Sequence, residues 1–259
     1  PTPTPTPTPT PAPTPPPPSV GYTSASQLAH WWVPGWDLAN LGRDFAASGG
    51  VDVASADRGI SDKDVASGGS ASAQIDLDGH SEALGNYELR PYGIANTWSV
   101  AAWLRPARLP GKGKLRYALD LNGMISKRSA SRISLVLDAI GHLGVVVSDA
   151  AGSERAIATV GTIDPARLGS AWYHVVAVKS GTSSLSLYVN GALAASTNLG
   201  VPAQADVPRV VRIGTRVKGG LGTFWSGGIG SIGVWHSALA RSEIAALYAG
   251  GSRAAAALR

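Results

Sequence analysis

Short runs of alternating apolar and polar residues constrain this chain more than any other feature. They are rich in Val, Ile, Leu and aromatic residues, and clusters of Gly, Asn, Asp and Ser separate them. Because successive side chains of a β-strand point to opposite faces, a period of two predicts antiparallel strands. The clearest runs are residues 73–77, 98–104, 116–121, 133–138, 143–148, 156–160, 172–179, 184–189, 210–214 and 229–235.

Only one segment has the pattern of a helix. Residues 237–248 place Leu239, Ile244 and Leu247 at helical spacing, and Gly250 and Gly251 follow as a stop signal. The Asn190-Gly191 pair predicts a tight type I′ hairpin. The sequence therefore predicts an all-β fold, a two-sheet antiparallel sandwich with one short C-terminal helix.

The N-terminal segment differs in composition from the rest. The first eighteen residues contain eleven prolines and six threonines. Proline fixes φ and lacks a backbone donor, so this alternation predicts a polyproline II arm. We interpret residues 1–19 as a semi-rigid linker whose threonines could accept O-linked sugars, residues 20–251 as one large domain and 252–259 as an Ala-rich tail. A protein partner or sister subunits would be needed to order residues 1–18.

Composition excludes several classes of protein. The 259 residues include no cysteine, which rules out disulfides, thiolate metal sites and a cysteine nucleophile. No apolar stretch approaches the roughly 20 residues of a membrane span. The net charge of +5 is unevenly distributed, and eight basic residues lie between Arg105 and Arg132. Such a stretch either attracts anionic polymers or forms a solvated strand face. No nucleic-acid motif accompanies it, so no specific nucleic-acid partner is expected.

Four segments in series resemble the laminin G-like, concanavalin A-like lectin domains. They are residues 98–106 (WSVAAWLRP), 172–178 (WYHVVAV), 187–191 (LYVNG) and 228–248, which joins a last strand to the closing helix. The resemblance covers about residues 27–251 and implies a jelly roll. Roles in that family include glycan binding, adhesion to proteins, accessory modules of secreted enzymes, and viral tail or capsid proteins, and the fold does not choose among them.

Catalytic signatures are missing. Glycoside hydrolysis needs two carboxylates about 5 to 10 Å apart, and the glucanases of this fold carry a Glu-x-Asp-x-x-Glu strand. Glutamate occurs here only at Glu82, Glu88, Glu154 and Glu243, without that spacing. There is also no Gly-x-Ser-x-Gly elbow and no His-Glu-x-x-His. We therefore expect a protein that is not an enzyme, and we interpret the histidine of the 172–178 strand, His174, as a hydrogen-bonded core residue.

Calcium is the one cofactor that the resemblance implies, because relatives often hold the ion near a sheet rim with oxygen ligands. Turn residues of ordinary structural function are the alternative. The candidate ligands are Asp76, Asp78, Asp120 and Asn122.

A contact surface is expected on loops at one rim, where aromatic surface and positive charge coincide. Burial in the core is the alternative for each tryptophan. The candidate ligand-binding residues are Trp36, Arg108, Lys112, Lys114, Arg116, Arg216, Lys218 and Trp225.

These observations predict a non-catalytic attachment module for a glycan or an anionic surface, extracellular or on a virion surface. The alternatives are a structural assembly protein, such as a phage virion or extracellular filament subunit whose arm docks on its neighbours, and an accessory module of a glycoside hydrolase.

Overall fold

The computed structural model describes residues 28–32, 75–80, 84–87, 97–125, 128–148, 154–159, 161–181, 183–199, 210–216 and 222–249. The predicted arm (residues 1–19) and tail (residues 252–259) lie outside these ranges, as do Trp36 and Lys218. None of the helices within the described ranges is long and apolar enough to cross a bilayer.

Two antiparallel sheets form a sandwich. The seven-stranded sheet has the order β1-β13-β4-β9-β10-β11, with β2 also paired to β13, and the six-stranded sheet has the order β3-β12-β5-β6-β7-β8. The strands are β1 (Leu28–Trp32), β2 (Ile75–Asp78), β3 (Leu84–Tyr87), β4 (Trp98–Pro106), β5 (Leu115–Ile125), β6 (Arg128–Asp138), β7 (Leu143–Ser148), β8 (Glu154–Ala158), β9 (Tyr173–Ser180), β10 (Ser184–Val189), β11 (Ala192–Asn198), β12 (Val210–Ile213) and β13 (Ser226–Trp235). A 3-10 turn spans Pro165–Arg167, and helix α1 spans Arg241–Ala249. The predicted all-β, two-sheet antiparallel sandwich with a short C-terminal helix is confirmed.

The main core lies between the sheets and follows the predicted alternation. On β4, Val100 and Leu104 are fully buried and belong to the same cluster as Leu119 and Leu135 of the facing sheet. Burying each such side chain contributes about 1.5–3 kcal/mol. This alternation fixes the register, because a slip of one residue would turn these side chains to the outside.

Helix α1 covers part of the outer face of the seven-stranded sheet. Leu239, Ile244 and Leu247 pack in a second cluster with Ala101 and Val176, which alternate with the inward residues of β4 and β9. The helix begins at Arg241, four residues after the predicted start. The delay arises because Ser99 Oγ donates to Ser237 O and accepts from Leu239 N, both at 2.8 Å, so the preceding segment is held as a turn.

The predicted type I′ hairpin joins β10 to β11. Asn190 has a φ of 52° and Gly191 a φ of 80°. Two consecutive residues with positive φ are what a type I′ turn requires, so the prediction is confirmed.

Candidate functional site

The loop between β4 and β5 carries three basic side chains into solvent. Arg108, Lys112 and Lys114 are all exposed. The loop turns tightly, because Lys114 N donates to Gly111 O at 3.0 Å and Gly113 has a φ of 72°, which glycine adopts without steric cost. The loop therefore places its charged side chains in solvent and makes its tight turn at glycine.

Arg116, at the start of β5, ties this loop to the other sheet. Its Nη1 donates to Gly79 O at 3.2 Å and to Phe224 O. Burial lowers the pKa of Arg116, and the positive charge of nearby Arg108 lowers it further. The two guanidinium groups therefore repel each other across the site. The Nε of Arg116 is buried without a hydrogen-bond partner.

A second arginine, Arg216, follows the end of β12 and lies beside Tyr117, the residue after Arg116 on β5. The guanidinium carbon of Arg216 lies 5.6 Å from the centroid of the Tyr117 ring, and its Nη1 is 3.5 Å from the Tyr117 hydroxyl. Tyr117 N donates to Thr223 O at 3.0 Å, and the backbone of Tyr117 forms an isolated parallel β-bridge with Phe224. The Nε of Arg216 is buried and has no hydrogen-bond partner either.

The two predicted basic loops meet at one end of the sandwich. A Cβ on Gly222 would lie 3.0 Å from Cδ and 3.2 Å from Nζ of Lys114, so the lysine side chain covers that glycine. The loop that carries Lys114 and the segment that begins at Gly222 are thus neighbours, although about a hundred positions separate them in the chain. We call the surface that they form the basic rim; it consists of Arg108, Lys112, Lys114, Arg116 and Arg216.

Trp225 does not contribute to the surface of this rim. Its side chain is fully buried in the main core, and its Nε1 donates to Gly228 O at 3.3 Å. The expectation of an exposed Trp225 is wrong. The backbone of Trp225 donates to Gly214 O at 2.7 Å, and this contact holds the segment against β12 with the indole turned inward.

The four candidate calcium ligands lie on two different sheets. Asp76 and Asp78 belong to β2, whereas Asp120 and Asn122 belong to β5 and are fully buried. Asp120 Oδ1 lies 3.2 Å from Arg132 Nε and accepts from Ser134 Oγ at 2.6 Å. Within the described ranges, no three acidic or histidine side chains are grouped as a metal site would require. The buried Asp120 carboxylate is paired with an arginine and does not fit a calcium ligand, whereas calcium at Asp76 and Asp78 stays a prediction.

An aromatic row on the outer face of the seven-stranded sheet was not predicted from the sequence. It consists of the half-buried Trp103 and Trp172, the buried His174 and the exposed Tyr248. The burial of His174 is confirmed, although its Nδ1 has no hydrogen-bond partner. Burial lowers its pKa to about 4. The alternation of side chains along β4 could have revealed this position. Ala102 and Leu104 point inward, so Trp103 between them points to the outer face.

Comparison with protein-family models shows which superfamily the chain belongs to. Residues 78–245, more than half of the chain, match the model of the concanavalin A-like lectin/glucanases superfamily. The chain belongs to this superfamily. Among curated proteins, none matches it significantly.

Two solved structures with TM-scores above 0.5 agree on the fold. The binding domain of botulinum neurotoxin serotype D matches with a TM-score of 0.54 at 13% identity, over 69% of this chain and 42% of that chain. The binding domain of Paraclostridial Mosquitocidal Protein 1 matches with a TM-score of 0.51 at 16% identity, over 68% and 42%. A SAP-like pentraxin from Limulus polyphemus has 21% identity and a TM-score of 0.46, over 60% of this chain and 70% of that chain. The superfamily member described here therefore spans under half the length of the toxin domains that it matches.

Proposed function

We propose that this superfamily member is a non-catalytic recognition module that binds an anionic glycan, or an anionic surface that presents one, through the basic rim. One observation carries the proposal. Five basic side chains from distant parts of the sequence lie at one end of the sandwich, and three of them, those of Arg108, Lys112 and Lys114, are exposed.

An anion would remove a cost that the free rim carries. The repulsion between Arg108 and Arg116 would be screened by a negative group placed near both. The exposed side chains of Arg108, Lys112 and Lys114 could also donate to the oxygen atoms of a carboxylate or sulfate group. Both effects favour a ligand that carries charge and several acceptor atoms.

The described carboxylates give no support to a hydrolytic mechanism. Asp120 is buried in a pair with Arg132, and Arg132 also binds Glu154 Oε1 at 2.6 Å. A glycosidase keeps one carboxyl protonated as an acid and the other free as a nucleophile or base. Arg132 lies between the two carboxylates and contacts both, so neither is held apart as an acid or a nucleophile. These contacts support binding without turnover.

The proline-rich composition of residues 1–18 supports a binding domain that is held away from its attachment point. At about 3.1 Å per residue, a polyproline II segment of eighteen residues would span roughly 55 Å. We propose that it displays the domain at an extracellular or virion surface, with a protein partner or sister subunits along the arm.

The test is the binding of polygalacturonate, an acidic polysaccharide, by the full chain in isothermal titration. The Lys112→Ala/Lys114→Ala double variant should bind about two- to tenfold more weakly at low salt. Affinity of the parent should also fall as salt is raised from about 0.05 M to 0.5 M, because the Debye length shortens.

Arg155→Ala/Arg241→Ala is the matched control, because it also removes two positive charges. Arg155 is exposed on β8, at the far edge of the six-stranded sheet, and Arg241 is exposed at the start of α1, so neither belongs to the rim. Equal losses for the control and the double variant, or an affinity that ignores both salt and the lysines, would show that the rim is only a solvated face.

A further inference from the structure

Trp172 packs against β13 at two positions that are occupied by glycine, Gly228 and Gly230. A Cβ on Gly228 would lie 2.8 Å from Cη2 and 3.1 Å from Cζ2 of Trp172, and a Cβ on Gly230 would lie 3.6 Å from Cζ3. The six-membered ring of the indole therefore occupies the space above two alternate residues of β13. Since Trp172 is only half-buried, the rest of its surface remains open to solvent.

Further rings extend this surface beside Trp172. The ring centroids of Trp103 and His174 are 5.0 Å apart, and Tyr248 stacks on them at 5.8 and 6.2 Å. Tyr248 is 40% exposed. A Cβ on Gly230 would lie 2.8 Å from Cβ of Trp103, so the same glycine strand admits both tryptophans. We call Trp103, Trp172, His174 and Tyr248 the aromatic row.

Helix α1 leaves the aromatic row largely uncovered. The apolar residues of the helix pack over Val176, Val178 and Tyr188, farther along β9 and β10. Tyr248, near the end of the helix, is the helix residue that contacts the row. One half of the outer face is thus closed by the helix, and the other half presents indole rings to solvent.

The aromatic row lies beside the strand end from which the loop of the basic rim leaves. The guanidinium carbon of Arg105 lies 5.3 Å from the centroid of the Trp172 ring. Arg105 pairs with Gly228, and two residues later Ala107 N donates to Ser226 O at 2.8 Å, where the loop bearing Arg108 begins. Arg105 therefore places one positive charge at Trp172, and the exposed Arg108 follows three residues later.

We propose that the aromatic row and the basic rim form one extended site for an acidic polysaccharide built of uronic acid residues, with the apolar face of a pyranose ring against Trp172. This inference rests on the proposed function and specifies its ligand. A pyranose ring offers a flat face of C–H groups and carries its hydroxyl and carboxylate groups at the edge. The row offers the complement, a half-buried indole with the guanidinium carbon of Arg105 over its ring, 5.3 Å from the centroid.

His174 supports the row from below and does not itself contact the sugar, because its ring is buried and packs against Trp103 and Tyr248.

The experiment compares three polymers with the full chain by isothermal titration. Polygalacturonate has both the ring and the charge, its fully methyl-esterified form has the ring alone, and long-chain polyphosphate has the charge alone. Trp172→Ala should weaken the binding of polygalacturonate about tenfold and leave the binding of polyphosphate unchanged. Trp172→Phe, which keeps an aromatic face, should recover part of the loss.

Ile140→Ala is the control for loss of an exposed apolar side chain, because Ile140 is 65% exposed in the turn between β6 and β7. A thermal melt of each variant separates local from global damage. If Trp172→Ala leaves the affinity for polygalacturonate unchanged, or weakens polyphosphate equally, the inference is overturned.

The outcomes also separate this inference from the proposed function. Binding of both polyanions that depends on salt and on Lys112 and Lys114, but not on Trp172, would leave the rim as the binding site and refute the role of the row. Failure of both polyanions to bind would contradict the proposed function, and this inference with it. Binding of the methyl ester alone would also contradict both.

Discussion

Trp225 provides the sharpest test of the described core. Its side chain is fully buried, its Nε1 donates to Gly228 O, and its backbone donates to Gly214 O. An indole buries roughly 200 Å², which at about 25 cal/mol per Å² corresponds to about 5 kcal/mol. Mutational series for buried Trp→Ala changes give about 3–5 kcal/mol, so the two routes agree. We therefore expect Trp225→Ala to remove a large share of a total stability of about 5–15 kcal/mol.

The measurement is thermal and urea unfolding of the full chain, followed by circular dichroism. For a domain of this size each kcal/mol shifts Tm by about 2–4 °C, so Trp225→Ala should lower Tm by roughly 6–20 °C. Trp225→Phe keeps most of the volume and loses the Nε1 donor, and it should cost about 1–2 kcal/mol.

Trp172→Ala is the matched comparison, because it removes the same side chain from a half-buried position. It should lower Tm by clearly less than Trp225→Ala. The reasoning is refuted if Trp225→Ala lowers Tm by less than about 2 °C, or if the two substitutions cost the same, since burial then would not decide the outcome.

Three further predictions concern the outer face of the seven-stranded sheet. His174 has a pKa of about 4, against 6.5 when unfolded, so the unfolded chain takes up the proton first as pH falls. Stability should therefore fall by about 3 kcal/mol between pH 6.5 and 4 on account of His174 alone. Urea titrations across that range should show a smaller fall for His174→Gln, by about that amount, and equal falls would contradict this. Ser99→Ala should cost about 1–3 kcal/mol in urea unfolding, since it leaves Leu239 N without its acceptor, and an unchanged midpoint would contradict this. Gly191→Ala should cost about 1–2 kcal/mol, because φ is 80° and the new Cβ would lie 3.2 Å from Cδ1 of Tyr248; a neutral result in thermal melts would show that the turn relaxes freely.

Local sequence patterns identified most of the strands but missed some. The run at residues 98–104 became β4, and its two apolar faces were accounted for by the main core and by α1. The strand β11 (Ala192–Asn198) was not predicted, because its Ala, Ser and Thr residues have no clear alternation. It forms since the Asn190-Gly191 turn returns the chain alongside β10, where backbone pairing does not depend on side-chain type.

The candidate site was only partly accessible from sequence. Its loops were predicted from charge, and Arg108, Lys112 and Lys114 are exposed as a charged loop should be. The outward position of Trp172 was not predicted from the sequence. It depends on Gly228 and Gly230, which lie more than fifty residues away in the chain. The pairing of β13 with β4 brings these two glycines beneath the indole.

What the sequence determined by itself is therefore local: the alternation that makes strands, the turn at Asn190-Gly191, and the positive charge of two loops. These follow from backbone sterics and from the preference of charged groups for water, which act over a few residues. Tertiary structure alone decided which tryptophans are buried, which sheet face the helix covers, and that the loops bearing Lys114 and Arg216 meet. Those features depend on strand pairing between distant segments, since a residue's position on a strand fixes its face but not what packs against that face.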